Sequence, residues 1–226
     1  MKIRPLSRDE VRGIDARAAD DFRLPTLVLM ENAGRGAAAW LLGKLGPKSR
    51  VVVACGPGNN GGDGGVVARH LDAQGVDVRL AWFCDPARLK GDAATQRDVV
   101  EHSGIAAEVI EHGASPERVA TLWQGADWIV DALLGTGLSR GVEGLPALAI
   151  ASMNRSGVPI LALDLPSGLD ADSGRPLGDA VRARATATFV APKLGFAAEG
   201  ANAYTGEVFV VDIGAPRALL EAFRVD

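Results

Sequence analysis

The chain has little of what usually carries redox, metal and nucleophilic chemistry: two cysteines, three histidines and one tyrosine among 226 residues. Cys55 and Cys84 show no metal-ligand spacing, and each follows an apolar run, so both read as reduced core residues. His70 and His102 fall on helical segments and His112 lies beside a loop, in no Ser/His/Asp or metal-binding arrangement. Tyr204 has no lysine four residues after it, which leaves a nicotinamide dehydrogenase without obvious catalytic equipment. No apolar run approaches the ~20 residues of a membrane span. The opening Met1-Lys2-Ile3-Arg4-Pro5 has no signal-peptide core, so a cytoplasmic location is expected. A formal net charge of −4 leaves no basic stripe for nucleic acid. Repeats, low-complexity segments and linkers are also missing, so one domain over residues 1–226 is expected.

What is present is an ordinary globular composition, 47% hydrophobic and 23% charged, with 28 glycines. The glycines cluster at Gly56–Gly65, Gly135–Gly144 and Gly195–Gly206, which predicts loops where backbone approaches something closely. Ser7 and Glu10 form a capping box, followed by Val11, Ile14 and Ala18 at helical spacing until Pro25. A second helix is expected from about Leu27 to Lys44. Buried strands are expected at Arg50–Cys55, Val76–Phe83, Trp128–Leu134, Val158–Leu165, Ala185–Ala191 and Glu207–Ile213, with a weak one at Glu108–Ile110. Helices alternate with them: one capped by Asp63, then Ala93–His102, Pro116–Trp123, Leu145–Asn154 and Arg217–Phe223. This alternation predicts an α/β fold with a mostly parallel sheet covered on both faces.

Three strand ends carry polar clusters. Gly56-Pro57-Gly58-Asn59-Asn60-Gly61 satisfies the dinucleotide pattern G-x-G-x-x-G between a strand and a helix, and Asp85 follows the next strand. A Rossmann NAD-dependent dehydrogenase is therefore one reading. Pro57 and the Asn59-Asn60 pair argue against it, because they add side-chain amides to a loop that needs only close backbone approach. Asp131-Ala132-Leu133-Leu134-Gly135-Thr136-Gly137 and Asp164-Leu165-Pro166-Ser167-Gly168-Leu169-Asp170 follow two more strands. In a parallel sheet all three ends lie along the ligand-binding edge. Asp131 and Asp164 each leave an apolar run, and part-buried carboxylates are costly unless paired or cation-bound. Lys193 follows a further strand, between Pro192 and Leu194-Gly195. Glu31 and Asn32 read equally well as site residues or as buried polar contacts.

These segments, with Leu29-Met30-Glu31-Asn32-Ala33-Gly34, Pro192-Lys193-Leu194-Gly195 and Asp212-Ile213-Gly214, resemble in their order the YjeF N-terminal domain family, which contains NAD(P)H-hydrate epimerases. The likeness runs from about Arg12 to Pro216. It implies a three-layer αβα sandwich, Rossmann-like but using its glycine loop differently. It also implies substrate contacts from Asn59, Asn60, Gly61, Gly62 and Asp63, from Gly135, Thr136, Gly137, Leu138, Ser139, Arg140 and Gly141, and from Asp164. One potassium ion per subunit is implied at Asn60, Asp131 and Ser167, and one carboxylate with neutral oxygens suits a monovalent cation better than Ca²⁺ or Mg²⁺. The implied reaction interconverts the R and S forms of NADHX and NADPHX at nicotinamide C6, with Asp164 and Lys193 as the candidate acid and base in undecided roles. A homodimer and coupling to a separate NAD(P)H-hydrate dehydratase are the partners considered. Many relatives carry a dehydratase domain, and the end at Asp226 is expected to leave it out. The alternative within the same fold is a non-catalytic nucleotide-binding scaffold, against which stand Asp164, Lys193 and the full Asn59–Asp63 loop. One departure is Arg184, where the family often has an acid two residues before the position of Thr186.

Overall fold

The structure is a computed structural model and describes residues 3–225. Its strands are β1 (Arg50–Cys55), β2 (Asp77–Trp82), β3 (Ala106–Val109), β4 (Trp128–Ala132), β5 (Ile160–Leu163), β6 (Ala185–Phe189) and β7 (Glu207–Val211). They form one sheet in the order β3-β2-β1-β4-β5-β6-β7, parallel at every pairing. The helices are α1 (Arg8–Phe22), α2 (Thr26–Leu42), α3 (Asn59–Asp72), α4 (Gly91–His102), α5 (Pro116–Ala120), α6 (Gly144–Arg155), α7 (Asn202–Thr205) and α8 (Arg217–Leu220).

The period of two along each strand decides which layer each side chain enters. Val51, Val53 and Cys55 of β1 pack with the apolar faces of α1, α2 and α3, whereas Val52 and Ala54 pack with Val119 of α5 and Ile150 of α6. Both faces are therefore covered, and the chain is a three-layer αβα sandwich. None of the described helices is long and apolar enough to cross a membrane.

The N-terminal capping box forms in full: Ser7 Oγ accepts from Glu10 N and Glu10 Oε2 accepts from Ser7 N. The segment before it is tied down as well. Leu6 N donates to Pro192 O at 2.9 Å and Leu194 N donates to Leu6 O at 2.9 Å, so the chain start brackets the backbone of Lys193. Arg8 then pairs with Asp170. These contacts lay α1 beside the carboxyl ends of β5 and β6.

Two local expectations are corrected. Asp63 does not cap α3; the helix opens four residues earlier at Asn59, behind Gly58. Glycine is about 1 kcal/mol worse than alanine inside a helix, which made a loop the natural reading of Gly61 and Gly62. Packing overrides that preference. A Cβ on Gly61 would stand 2.2 Å from Gly56 O, and one on Gly64 would stand 2.7 Å from Ala132 Cβ and 2.8 Å from Cys55 Sγ. The glycines let α3 lie directly on the sheet. The second correction is at β5 and β6, which stop at Leu163 and Phe189 rather than Leu165 and Ala191. Each ends in a γ-turn. Leu165 N donates to Leu163 O and Ala191 N to Phe189 O, both at 2.8 Å. The central residues Asp164 and Val190 take φ of 67° and 68°. That conformation is disfavoured for any side chain and most of all for a β-branched one.

Candidate active site

The strand order reverses between β1 and β4, so their carboxyl ends diverge and leave a crevice, the usual ligand position of an open parallel sheet. A cavity of about 540 Å³ opens there, within the size range of small-molecule sites. Its walls come from α1, the start of α2, the start of α3, the loop after β4 and the γ-turn residues Asp164 and Val190.

Asp164 is 8% exposed. The left-handed backbone turns its side chain off the end of β5 and into the cavity wall, where Oδ2 accepts a long hydrogen bond of 3.4 Å from Thr136 N. Its Oδ1 lies 2.6 Å from Lys193 Nζ. Lys193 is 0% exposed, a full-length lysine sealed in the interior. Its ammonium also donates to Thr188 Oγ1 at 3.0 Å and Phe189 O at 3.2 Å. With Ala191 O at 3.5 Å these hydrogen bonds use its three donors, and Asp164 Oδ1 meets it as an ion-pair partner. Conformational strain of this kind, about 1–3 kcal/mol per residue, persists only where the surroundings enforce it. Here the Lys193 pair and the β6 ladder bond from Asp164 N to Ala187 O do so.

Two more carboxylates share the cavity. Asp15 of α1 lines it, and burial pushes its carboxyl up to about 6, with Asp164 adding to the rise and Lys193 opposing it. Asp63 of α3 is pushed well above the usual carboxylate range, first by burial and then by Asp164 and Asp15. Beneath the wall, Asp131 is 0% exposed. Its oxygens accept from Ser167 N at 2.8 Å, Ser167 Oγ at 2.6 Å and Leu133 N at 3.2 Å. Burial raises its carboxyl to about 6 against the pull of those bonds. Asn60 lies in the same wall, 6% exposed, and neither atom of its side-chain amide has a partner. Gly135 sits between Asn60 and Asp164: a Cβ there would stand 3.4 Å from Asn60 Cβ and 3.5 Å from Asp164 Oδ2.

A model of the family described as YjeF-related protein N-terminus matches residues 26–195. The chain belongs to the YjeF N-terminal family. Its similar members include an NAD(P)H-hydrate epimerase of Pirellula staleyi, 45% identical over 95% of this chain and 94% of that protein. The NAD(P)H-hydrate epimerase of Rhodopirellula baltica is 40% identical over 100% of this chain and 90% of that protein. The bifunctional NAD(P)H-hydrate repair enzyme Nnr of Thermofilum pendens is 40% identical, and this chain spans 42% of its length. Among solved structures, yeast ynu0 has the same fold, with a TM-score of 0.81 at 21% identity over 99% of this chain and 95% of that one.

Of the residues this YjeF N-terminal chain was expected to use, Asn59, Asn60, Asp63, Gly135–Gly141 and Asp164 line the cavity. Gly61 and Gly62 do not; they face Gly56 O and the Met30 side chain. Lys193 is not on the wall either and stands behind Asp164. Asp131 and Ser167 form a buried pair under the wall. Glu31 and Asn32 are structural contacts: Glu31 pairs with Arg69 and His70 on α3, and Asn32 Nδ2 donates to Ile213 O at 2.9 Å. Asp85 caps the short 3-10 turn Pro86–Arg88 and is not among the residues lining the cavity. The sequence reading passed over Asp15. The signal for it was there, since Val11, Ile14, Asp15 and Ala18 form one helical stripe and a carboxylate on the buried stripe of an amphipathic helix needs a reason.

Proposed function

We propose that this chain is an NAD(P)H-hydrate epimerase, an isomerase that interconverts the R and S forms of NADHX and NADPHX, with the cavity at the β1/β4 crevice as its active site. The observation that carries the reading is the Asp164 carboxylate, turned into the cavity by a γ-turn and held 2.6 Å from a sealed lysine. Two relatives of nearly the same length, named for this activity, support it. The substrate is a hemiaminal with a hydroxyl on the carbon next to the ring nitrogen. When an acid protonates that hydroxyl, the nitrogen lone pair expels it as water and leaves a planar iminium. Water then adds to C6 from either face and a base takes its extra proton. The C6–O bond breaks and re-forms with no net electron change, so neither ATP nor an oxidant enters the balance.

Asp164 is the proton acceptor on this reading, and Lys193 holds and orients its carboxylate from behind. The free N–H groups of Asn59 and Asn60 at the start of α3 offer the substrate's phosphates an anion site at a helix N-terminus. The Gly135–Gly141 loop covers the opposite side. The activity also makes a separate NAD(P)H-hydrate dehydratase its natural partner. Chiral chromatography of NADHX tests the function: protein without ATP is expected to drive either epimer to the equilibrium ratio far faster than buffer. A ratio that follows the spontaneous rate at high protein concentration would refute it.

The potassium site at Asn60, Asp131 and Ser167 fits the donors present. Asn60 has an idle amide oxygen, and among the described residues no cationic side chain pairs with the buried Asp131. Asp131 and Ser167 each keep one lone pair unused after their hydrogen bonds. The ion would supply the charge that neutralises Asp131 and would tie α3 to the loop after β4. Potassium at a hundredfold excess over its Kd is expected to stabilise the fold by about 2.7 kcal/mol, a rise in Tm of about 5–10 °C over choline chloride at equal ionic strength. Asp131→Asn is expected to erase that difference. Identical melting in the two salts would overturn the site.

A further inference from the structure

We propose that Asp15 of α1 is a second catalytic residue, exchanging a proton with the C6 oxygen on the ring face that Asp164 does not serve. The inference rests on the epimerase reading and supplies what it leaves open. Epimerisation must expel water from one face and add it to the other. One carboxylate fixed at a strand end reaches one face of a bound ring, so a second proton carrier is required on the other. Lys193 does not meet this need, because it is 0% exposed and only Asp164 stands on the cavity wall.

The other carboxylates of the wall suit the role less well. Asp92 accepts from Thr26 Oγ1, Glu143 is exposed just before α6, and burial pushes the Asp63 carboxyl on α3 well above the usual carboxylate range. Asp15 is half-buried, its carboxylate accepts no hydrogen bond from the described residues, and it comes from a different wall: α1 rather than the sheet edge. The charged groups that act on it are Asp164 and Lys193, with Asp63 coupled to it from α3. Arg12, one residue before Gly13 on the same helix, lines the mouth. Burial and Asp164 push the Asp15 carboxyl up to about 6, so both of its protonation states are within reach near neutral pH, as a proton carrier needs. In one direction protonated Asp15 gives its proton to the hydroxyl as the C6–O bond breaks, and Asp164 takes a proton from the water that bonds to the opposite face. The turnover leaves the proton on Asp164, which either starts the reverse reaction with the two roles exchanged or passes it to solvent water while Asp15 regains one, and the two epimers carry the same atoms and electrons.

Two readouts in H₂¹⁸O separate this role from a structural one: epimer ratio by chiral chromatography, and ¹⁸O at C6 by mass spectrometry. Asp15→Asn is expected to lower epimerisation by roughly 10²-fold or more. It is expected to keep ¹⁸O exchange into one epimer, through Asp164 alone, within about tenfold of the wild type. Asp15→Glu, which restores a carboxyl, is expected to recover part of the epimerisation. The inference is overturned if Asp15→Asn epimerises within threefold of wild type, or if exchange and epimerisation fall together, as misplacement of α1 would make them. A wild type that neither epimerises nor exchanges would instead bring down the epimerase reading, and this inference with it.

Discussion

Asp164→Asn is expected to lower the epimerisation rate of NADHX by roughly 10²-fold or more while KM stays within a few-fold. Asparagine suits the position because it tolerates a φ of 67° better than most residues, so the γ-turn and the path of the loop survive. Its amide oxygen still accepts from Thr136 N, which keeps the wall in place. What goes is the anionic oxygen that takes a proton from water. The substitution also strands the Lys193 ammonium among neutral acceptors, so part of the fold's stability goes with it, on the order of 3–5 kcal/mol for a broken buried pair. Rates therefore have to be compared well below the variant's own Tm. Steady-state kinetics at wild-type KM and wild-type kcat would make Asp164 a binding residue and end the mechanism.

The sequence carried the architecture because the architecture rests on local, additive signals. The capping box at Ser7, the apolar runs of β1 and β5, and the helix–strand alternation each need only a few neighbouring residues to be read. The site was legible in part for the same reason: a carboxylate directly after an apolar run, as at Asp131 and Asp164, lands on the ligand edge of a parallel sheet. What escaped is non-local. No short-range preference places Val190 at a φ of 68°; the β7 ladder and the closure around Lys193 impose it. Gly61 and Gly62 of α3 read as loop because their use lies across space, in Gly56 O and the Met30 side chain. Lys193 read as a residue facing the substrate, since its burial depends on Leu6 pairing with Pro192 and Leu194 some 190 residues along the chain. Asp15 was obscured by the same distance: its stripe showed burial, but not that Asp164 and Lys193 wait on the other side.

Lys193→Met is expected to cost more stability than Asp164→Asn and to share its catalytic defect. Methionine fills nearly the same volume, so the loss is electrostatic rather than a cavity. It leaves Asp164 without its cation, and it frees Thr188 Oγ1 and Phe189 O from the bonds that now hold the end of β6. With the pair broken and those acceptors unsatisfied, Tm is expected to fall by on the order of 10 °C. The oxygen that meets the substrate is then no longer fixed, so kcat should fall by roughly 10²-fold, with the larger share of the effect in kcat rather than KM. The decisive measurement is the double variant Asp164→Asn with Lys193→Met. Each single change strands a buried partner, whereas the double change removes both charges, and a buried pair replaced as a unit is often close to neutral. The double variant is therefore expected to be more stable in urea than the sum of the single losses, by about 1–3 kcal/mol of coupling. If the losses simply add, the 2.6 Å contact carries no energy of its own and Lys193 cannot be what positions Asp164.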